Sequence, residues 1–256
     1  MKVSHRYLWL LASFVVGVGF IALWQLIADA RLVSPVFLPG PDRAWRSLVR
    51  GFESGDLELK VAGTVQRMIL GWLLASLAGI AIGAAIGISE KARAYLQPSL
   101  EFLRPLPSSA VIPVAIALFG RSESMVLSVI AFGGLWPTLL ATVHGFSAVE
   151  PRLYEVSRVL GLSRLEIIRK IALPSALPDI LAGMRLSATT ALILTVVGEM
   201  LTSRDGLGQW ILLAASSFRA ADVFAGVILL GAIGYLSAQI LSFAEARLLV
   251  WRQVAH

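Results

Sequence analysis

Long apolar runs alternate with short charged connections along this chain. The apolar stretches occupy residues 7–28, 68–89, 94–120, 125–149, 180–201 and 223–244. Each is about twenty residues or longer, enough for a helix to cross a hydrocarbon layer about 30 Å thick. The pattern predicts an all-α, polytopic membrane protein with about six transmembrane helices. One segment breaks the rhythm: EVSRVLGLSRLEIIRKIALP, residues 155–174, holds six charged residues in twenty. Six spans put both chain ends on one side. Lys2, His5 and Arg6 precede the first span, and Arg152, Arg158, Arg164, Arg169 and Lys170 crowd the connection 150–179. The excess of basic residues in cytoplasmic loops places both in the cytoplasm.

The individual runs carry further detail. Ala28-Asp29-Ala30 imitates a signal-cleavage site, but the run before it exceeds the roughly 7–15 residues of a signal core, so it reads as a retained span. Between the first two spans Arg31, Arg43, Arg46, Arg50 and Lys60 sit on the side that should be poor in basic residues. There Asp42 is expected to cap a helix with Trp45, Leu48, Val49 and Phe52 on one face, an amphipathic segment suited to the membrane surface. Ala75, Gly79, Gly83 and Gly87 recur every fourth residue and make one helix face small enough for close packing, within a subunit or at a dimer seam. Arg104-Pro105-Leu106-Pro107 interrupts the third run. Proline removes a backbone donor, and such breaks persist at membrane depth only where protein or water covers them. Trp136-Pro137 predicts an ordinary kink in the fourth span.

The polar segment reads locally as two short helices. Pro151 opens the first, and Gly161 suits the left-handed position that ends it. Ser163 and Glu166 have the spacing of a capping box, which starts the second. Pro174 and Pro178 are expected to stop that helix and admit the fifth span. Leu165, Ile168 and Ile171 or Ala172 form an apolar stripe beside Arg164, Arg169 and Lys170.

Composition narrows the function classes. Of 256 residues 57% are hydrophobic and 15% charged, against about 25% charged in soluble domains, and mean hydropathy is +0.79. The formal charge of +6 fits basic cytoplasmic loops and anionic lipid rather than nucleic acid. There is no cysteine, which excludes disulfides, thiolate metal sites and cysteine nucleophiles. His144 is expected to be packed or locally hydrogen-bonded, Arg185 to snorkel from the fifth span, and no metal-binding cluster accompanies them.

Glu155, Gly161, Ile171, Leu173 and Pro174 stand at the spacing E-A-A, three residues, G, nine residues, I-x-L-P. The segment thus resembles the EAA motif of permease subunits of bacterial ABC importers, with Val156 and Ser157 in place of the two alanines. The resemblance extends over nearly the whole chain, toward the branch of taurine, aliphatic sulfonate and nitrate permeases. Thr64-Val65-Gln66-Arg67 with Gly71, Arg104 to Pro107 with Ile112-Pro113 and Phe119-Gly120, Glu199-Met200-Leu201 with Gly206-Leu207-Gly208, and Arg247 with Trp251 follow that branch's order. Ser108 and Ser109 fall where such sequences are more often apolar.

The resemblance implies one permease domain, 1–256, with its core over 61–250 and a coupling loop over 150–179. Glu155, Val156, Ser157, Gly161, Leu162, Ser163, Arg164, Ile171, Leu173 and Pro174 would seat in a cleft of an ATPase subunit. The chain has no G-x-x-x-x-G-K-[ST]: its lysines are Lys2, Lys60, Lys91 and Lys170, and none follows a glycine. ATP and Mg would therefore bind a separate ATPase, in two copies. A second permease copy, giving a homodimer, and an external solute-binding protein complete the implied assembly in the bacterial inner membrane. Arg104, Ser108, Ser109 and Glu199 are candidates for the pathway or its gate, because charge within a span is costly and usually faces protein or water. Equally, Arg104 could pair with Glu101, and Glu199 could brace Thr195, Thr202 or Ser203.

Two other classes are disfavoured. An ion-driven secondary carrier would pair ionisable groups near mid-membrane and show two related halves, and a membrane enzyme would bring together a nucleophile, base and metal ligands. The sequence shows neither arrangement.

Overall fold

The computed structural model describes residues 2–103 and 105–250, with side chains for Trp9 and from residue 11 onward. Arg104 and Trp251 lie outside the described residues. The regular structure is helical: α1 (Lys2–Asp29), α2 (Pro41–Glu53), α3 (Asp56–Gly87), α4 (Glu90–Leu103), α5 (Ile112–Phe119), α6 (Glu123–Ser147), α7 (Pro151–Val159), α8 (Arg164–Ile167), α9 (Leu173–Thr202), α10 (Leu207–Ser216) and α11 (Ala220–Leu248). Five helical stretches are long and apolar enough to cross a membrane, and a bent pair makes a sixth. That pair is the interrupted third run: α4 meets the Ser108–Phe119 stretch at 85°.

The core is α3, α6 and α9. Close approach of the first two follows from the small-residue stripe. A Cβ on Gly83 would lie 2.7 Å from the Leu139 carbonyl oxygen, and one on Gly87 2.8 Å from the Phe146 Cβ. The stripe is therefore consumed inside the subunit. On α6, Gly145 meets the α9 backbone near Ala176 in the same way. Val126, Val129, Ile130, Ala191 and Leu194 fill the space between. By contrast, no residue of the span within α1 is fully buried. Trp24 tethers it, donating to the Pro39 carbonyl at 3.0 Å and lying 5.4 Å from the Phe224 ring.

Several local expectations are corrected. Helix α2 is capped by the Gly40 backbone, while Asp42 sits in its first turn and pairs with Arg46. Its buried face is Ala44, Ser47 and Leu48, leaving Trp45, Val49 and Phe52 exposed. Pro174 and Pro178 do not stop the second loop helix. A π-helical turn over Ile168–Ala172 joins α8 to α9, and the helix runs unbroken over Arg164–Thr202. Pro174 enters in the first turn of the α-register that follows, where its missing N–H costs least. The sequence also did not anticipate α10, ten residues long and too short to span.

Candidate functional site

Two polar constellations stand at opposite ends of the core. One is the 150–179 connection. Pro151 opens α7, and the Gly161 backbone, at φ +65°, closes it. The Gly161 N–H donates to the Arg158 carbonyl at 3.1 Å and the Leu162 N–H to the Ser157 carbonyl at 3.0 Å. These paired bonds form a Schellman ending. Ser163 and Glu166 then make both halves of the expected capping box, and Lys170 donates to Glu166 at 2.8 Å. Backbone groups that would fray a short helix in water are thereby satisfied within the bracket.

The bracket has two faces. Its inner face is anchored: Ser157 is fully buried and donates to the Tyr154 carbonyl, while Ala172 and Ala176 pack on Phe146 and Val149. Burial raises the Tyr154 phenol above its usual range, opposed in part by Arg93. Its outer face carries Val156, Val159, Leu160 and Leu165, all exposed, with Val159 at 88%. Glu155, Gly161, Ser163, Arg164 and Leu173 are exposed as well, and Leu162, Ile171 and Pro174 are half-buried. An apolar patch on a rigid, capped support is the form of an interaction surface.

At the other end lies a buried clamp. Glu199, 0% exposed, accepts from Thr64 Oγ1 at 2.9 Å, from Arg67 at 2.9 Å and from the Gly208 N–H at 2.9 Å. Arg67 also donates to Glu123 at 2.8 Å and to the Asp205 carbonyl at 2.7 Å. The Leu207 N–H closes the ring by donating to Thr64 at 2.9 Å. One carboxylate thus ties α3 and the end of α9 to the start of α10, and Arg67 carries the tie to α6. The bracing by Thr195, Thr202 or Ser203 is corrected: Thr195 and Thr202 donate to the carbonyls of Ala191 and Gly198 along their own helix.

Sequence reasoning quoted Thr64 and Arg67 without giving them this role. The available signal was physical: Arg67 borders the second apolar run and Glu199 is a lone charge within the fifth, and each needs a partner.

Of the proposed pathway residues Ser108, Ser109 and Glu199 lie within the described residues, and Arg104 lies outside them. Ser108 packs against Gly133 of α6, where an added Cβ would lie 2.8 Å from its hydroxyl oxygen, and Ser109 is exposed. No hydrogen bond joins either serine to Glu199 among the described residues. Glu101 accepts from Gln97 at 2.9 Å. His144 is exposed rather than packed, 3.7 Å from Asp179, and Arg185 pairs with Glu245.

The chain is similar to known proteins. A model of the family described as binding-protein-dependent transport system inner membrane component matches residues 75–252. The putative aliphatic sulfonates transport permease protein SsuC of Bacillus subtilis is 36% identical, over 96% of this chain and 89% of that protein. The taurine transport system permease protein TauC of Escherichia coli is 30% identical, over 97% and 94%. Among solved structures, an amino acid ABC transporter superposes with a TM-score of 0.61 at 18% identity, over 78% of this chain and 97% of that one.

Proposed function

The chain belongs to the binding-protein-dependent transport system inner membrane component family, and from that premise we propose how this permease works and what it carries. It is a non-enzymatic, multi-pass subunit of an ABC importer, whose family works with a separate ATPase and a substrate-binding protein. In this reading the 150–179 bracket is the ATPase seat, in a bacterial inner membrane, with two permease copies and two ATPase copies. The observation that carries it is the exposed row Val156, Val159, Leu160 and Leu165 on a capped support continuous with a membrane span.

The mechanics follow from that continuity. Because α8, the π turn and α9 form one helix, a displacement of the seat is passed to the core without a flexible joint. At the far end Glu199 joins the same helix to α10. Closure of the ATPases would tilt this rod, and the outer clamp would carry α10 with it. Glu199 acts here as a positioning residue. Ser108 and Ser109, at the bend between α4 and α5, and Arg104, which precedes them in sequence, remain the candidates for the solute path.

The relatives' names support a small anion as cargo: an aliphatic sulfonate, taurine or, on the sequence resemblance, nitrate. Gly161→Val or Glu155→Lys should release the ATPase in co-purification and abolish uptake while the permease still inserts. Survival of both ATPase binding and uptake would remove the assignment of the seat.

A further inference from the structure

The bracket also encloses a space that force transmission does not use. Between α7, the start of the Arg164–Thr202 helix and the corner joining α3 to α4 lies a cavity of about 410 Å³. That is within the size range of small-molecule sites. Arg158, Arg164, Tyr154 and Ser89 contribute its polar wall, and Ile88, Ile167 and Ile168 line its apolar side.

Charge in this space is one-sided. No carboxylate lines it, and neither Arg158 nor Arg164 forms an ion pair among the described residues. Glu166, the nearest acid in sequence to Arg164, is committed to Ser163 and Lys170. A third guanidinium, Arg93, is close enough to act on Tyr154. Guanidinium forks match oxyanions geometrically, and their charge-assisted bonds exceed neutral ones in strength.

We propose that this cavity binds an amphiphilic oxyanion, a sulfonate or phosphate ester whose head pairs with Arg158 and Arg164 and whose tail lies on Ile88, Ile167 and Ile168. An occupant would wedge the bracket against the α3–α4 corner, making the coupling element responsive to what the cytoplasmic side contains. The same chemistry has two sources: a soluble alkyl sulfonate and an anionic phospholipid of the inner leaflet.

The test uses the permease with its ATPase in phosphatidylcholine nanodiscs and radiolabelled 1-hexanesulfonate as the probe. Saturable binding is expected, weakened at least about tenfold by Arg158→Gln, the loss expected for one charge-assisted hydrogen bond. Arg158→Lys keeps the charge on the same exposed turn but loses the guanidinium fork, so it should bind more tightly than Arg158→Gln and more weakly than the unaltered chain, which separates loss of the site from loss of the fold. In phosphatidylglycerol nanodiscs, native mass spectrometry reads the other source. A retained phosphatidylglycerol that Arg158→Gln releases, with no hexanesulfonate binding, identifies lipid as the occupant. If neither probe binds, or both bind Arg158→Gln as well as the unaltered chain, the proposal is overturned.

Discussion

Glu199 shows what one side chain can hold in an apolar protein. Its carboxylate satisfies Thr64, Arg67 and a backbone N–H of α10 at once, so removing it leaves Arg67, half-buried, with Glu123 as its remaining carboxylate partner. Breaking a fully buried pair costs about 3–5 kcal/mol, and the cost here is smaller because Arg67 keeps Glu123. Glu199→Ala should therefore lower the unfolding temperature of the purified protein and reduce transport, yet leave the ATPase bound at the opposite end. A higher KM for solute at unchanged stability would instead make Glu199 a contact for the cargo. Gly161 is the second decisive residue. At φ +65° an ordinary side chain costs about 1–2 kcal/mol, and Asn tolerates the conformation better than Val. Gly161→Asn should keep ATPase co-purification that Gly161→Val loses; equal loss in both would mean the position serves something other than the turn.

Helix contacts explain which elements were legible beforehand. The spans were readable because hydrophobic length alone fixes them, and the bracket because Pro151, Gly161 and the Ser163–Glu166 pair act within a few residues of themselves. The joint at Pro174 was not readable. A proline normally argues for a stop, and the π turn that absorbs it depends on how Ala172 and Ala176 seat on Phe146 and Val149. Nor was α10, whose place is set by Thr64 and Glu199, 143 and 9 residues away. The glycine stripe gives a prediction at this scale. Gly83→Leu would force α3 off the Leu139 backbone, and overpacking a core costs about 1–3 kcal/mol or more. Thermal unfolding of the isolated permease should shift downward. An unchanged melt accompanied by altered dimerisation would move the stripe to a subunit seam.

The molecule as a whole is a core of three helices with a polar device at each end. Its sidedness rests on the basic residues of the N-terminus and the bracket, against which the arginines of α2 stand as the exception. Within α2, Arg46 pairs with Asp42, and the helix is pinned by Ser47 hydrogen-bonding to Asp222 of α11. Because the chain has no cysteine, single cysteines report topology directly. Trp45→Cys and Asp205→Cys should react with an impermeant maleimide from outside intact cells; reaction only after permeabilisation would invert the topology.

Val159→Cys tests the central claim, that a separate motor drives this permease through the bracket. In inside-out vesicles holding the permease and its ATPase, a short bifunctional cross-linker should join that cysteine to the ATPase chain. ATP binding should change the yield. A cysteine at this position that labels from the outer side, or that never cross-links to the ATPase in an assembly active for uptake, would contradict the account.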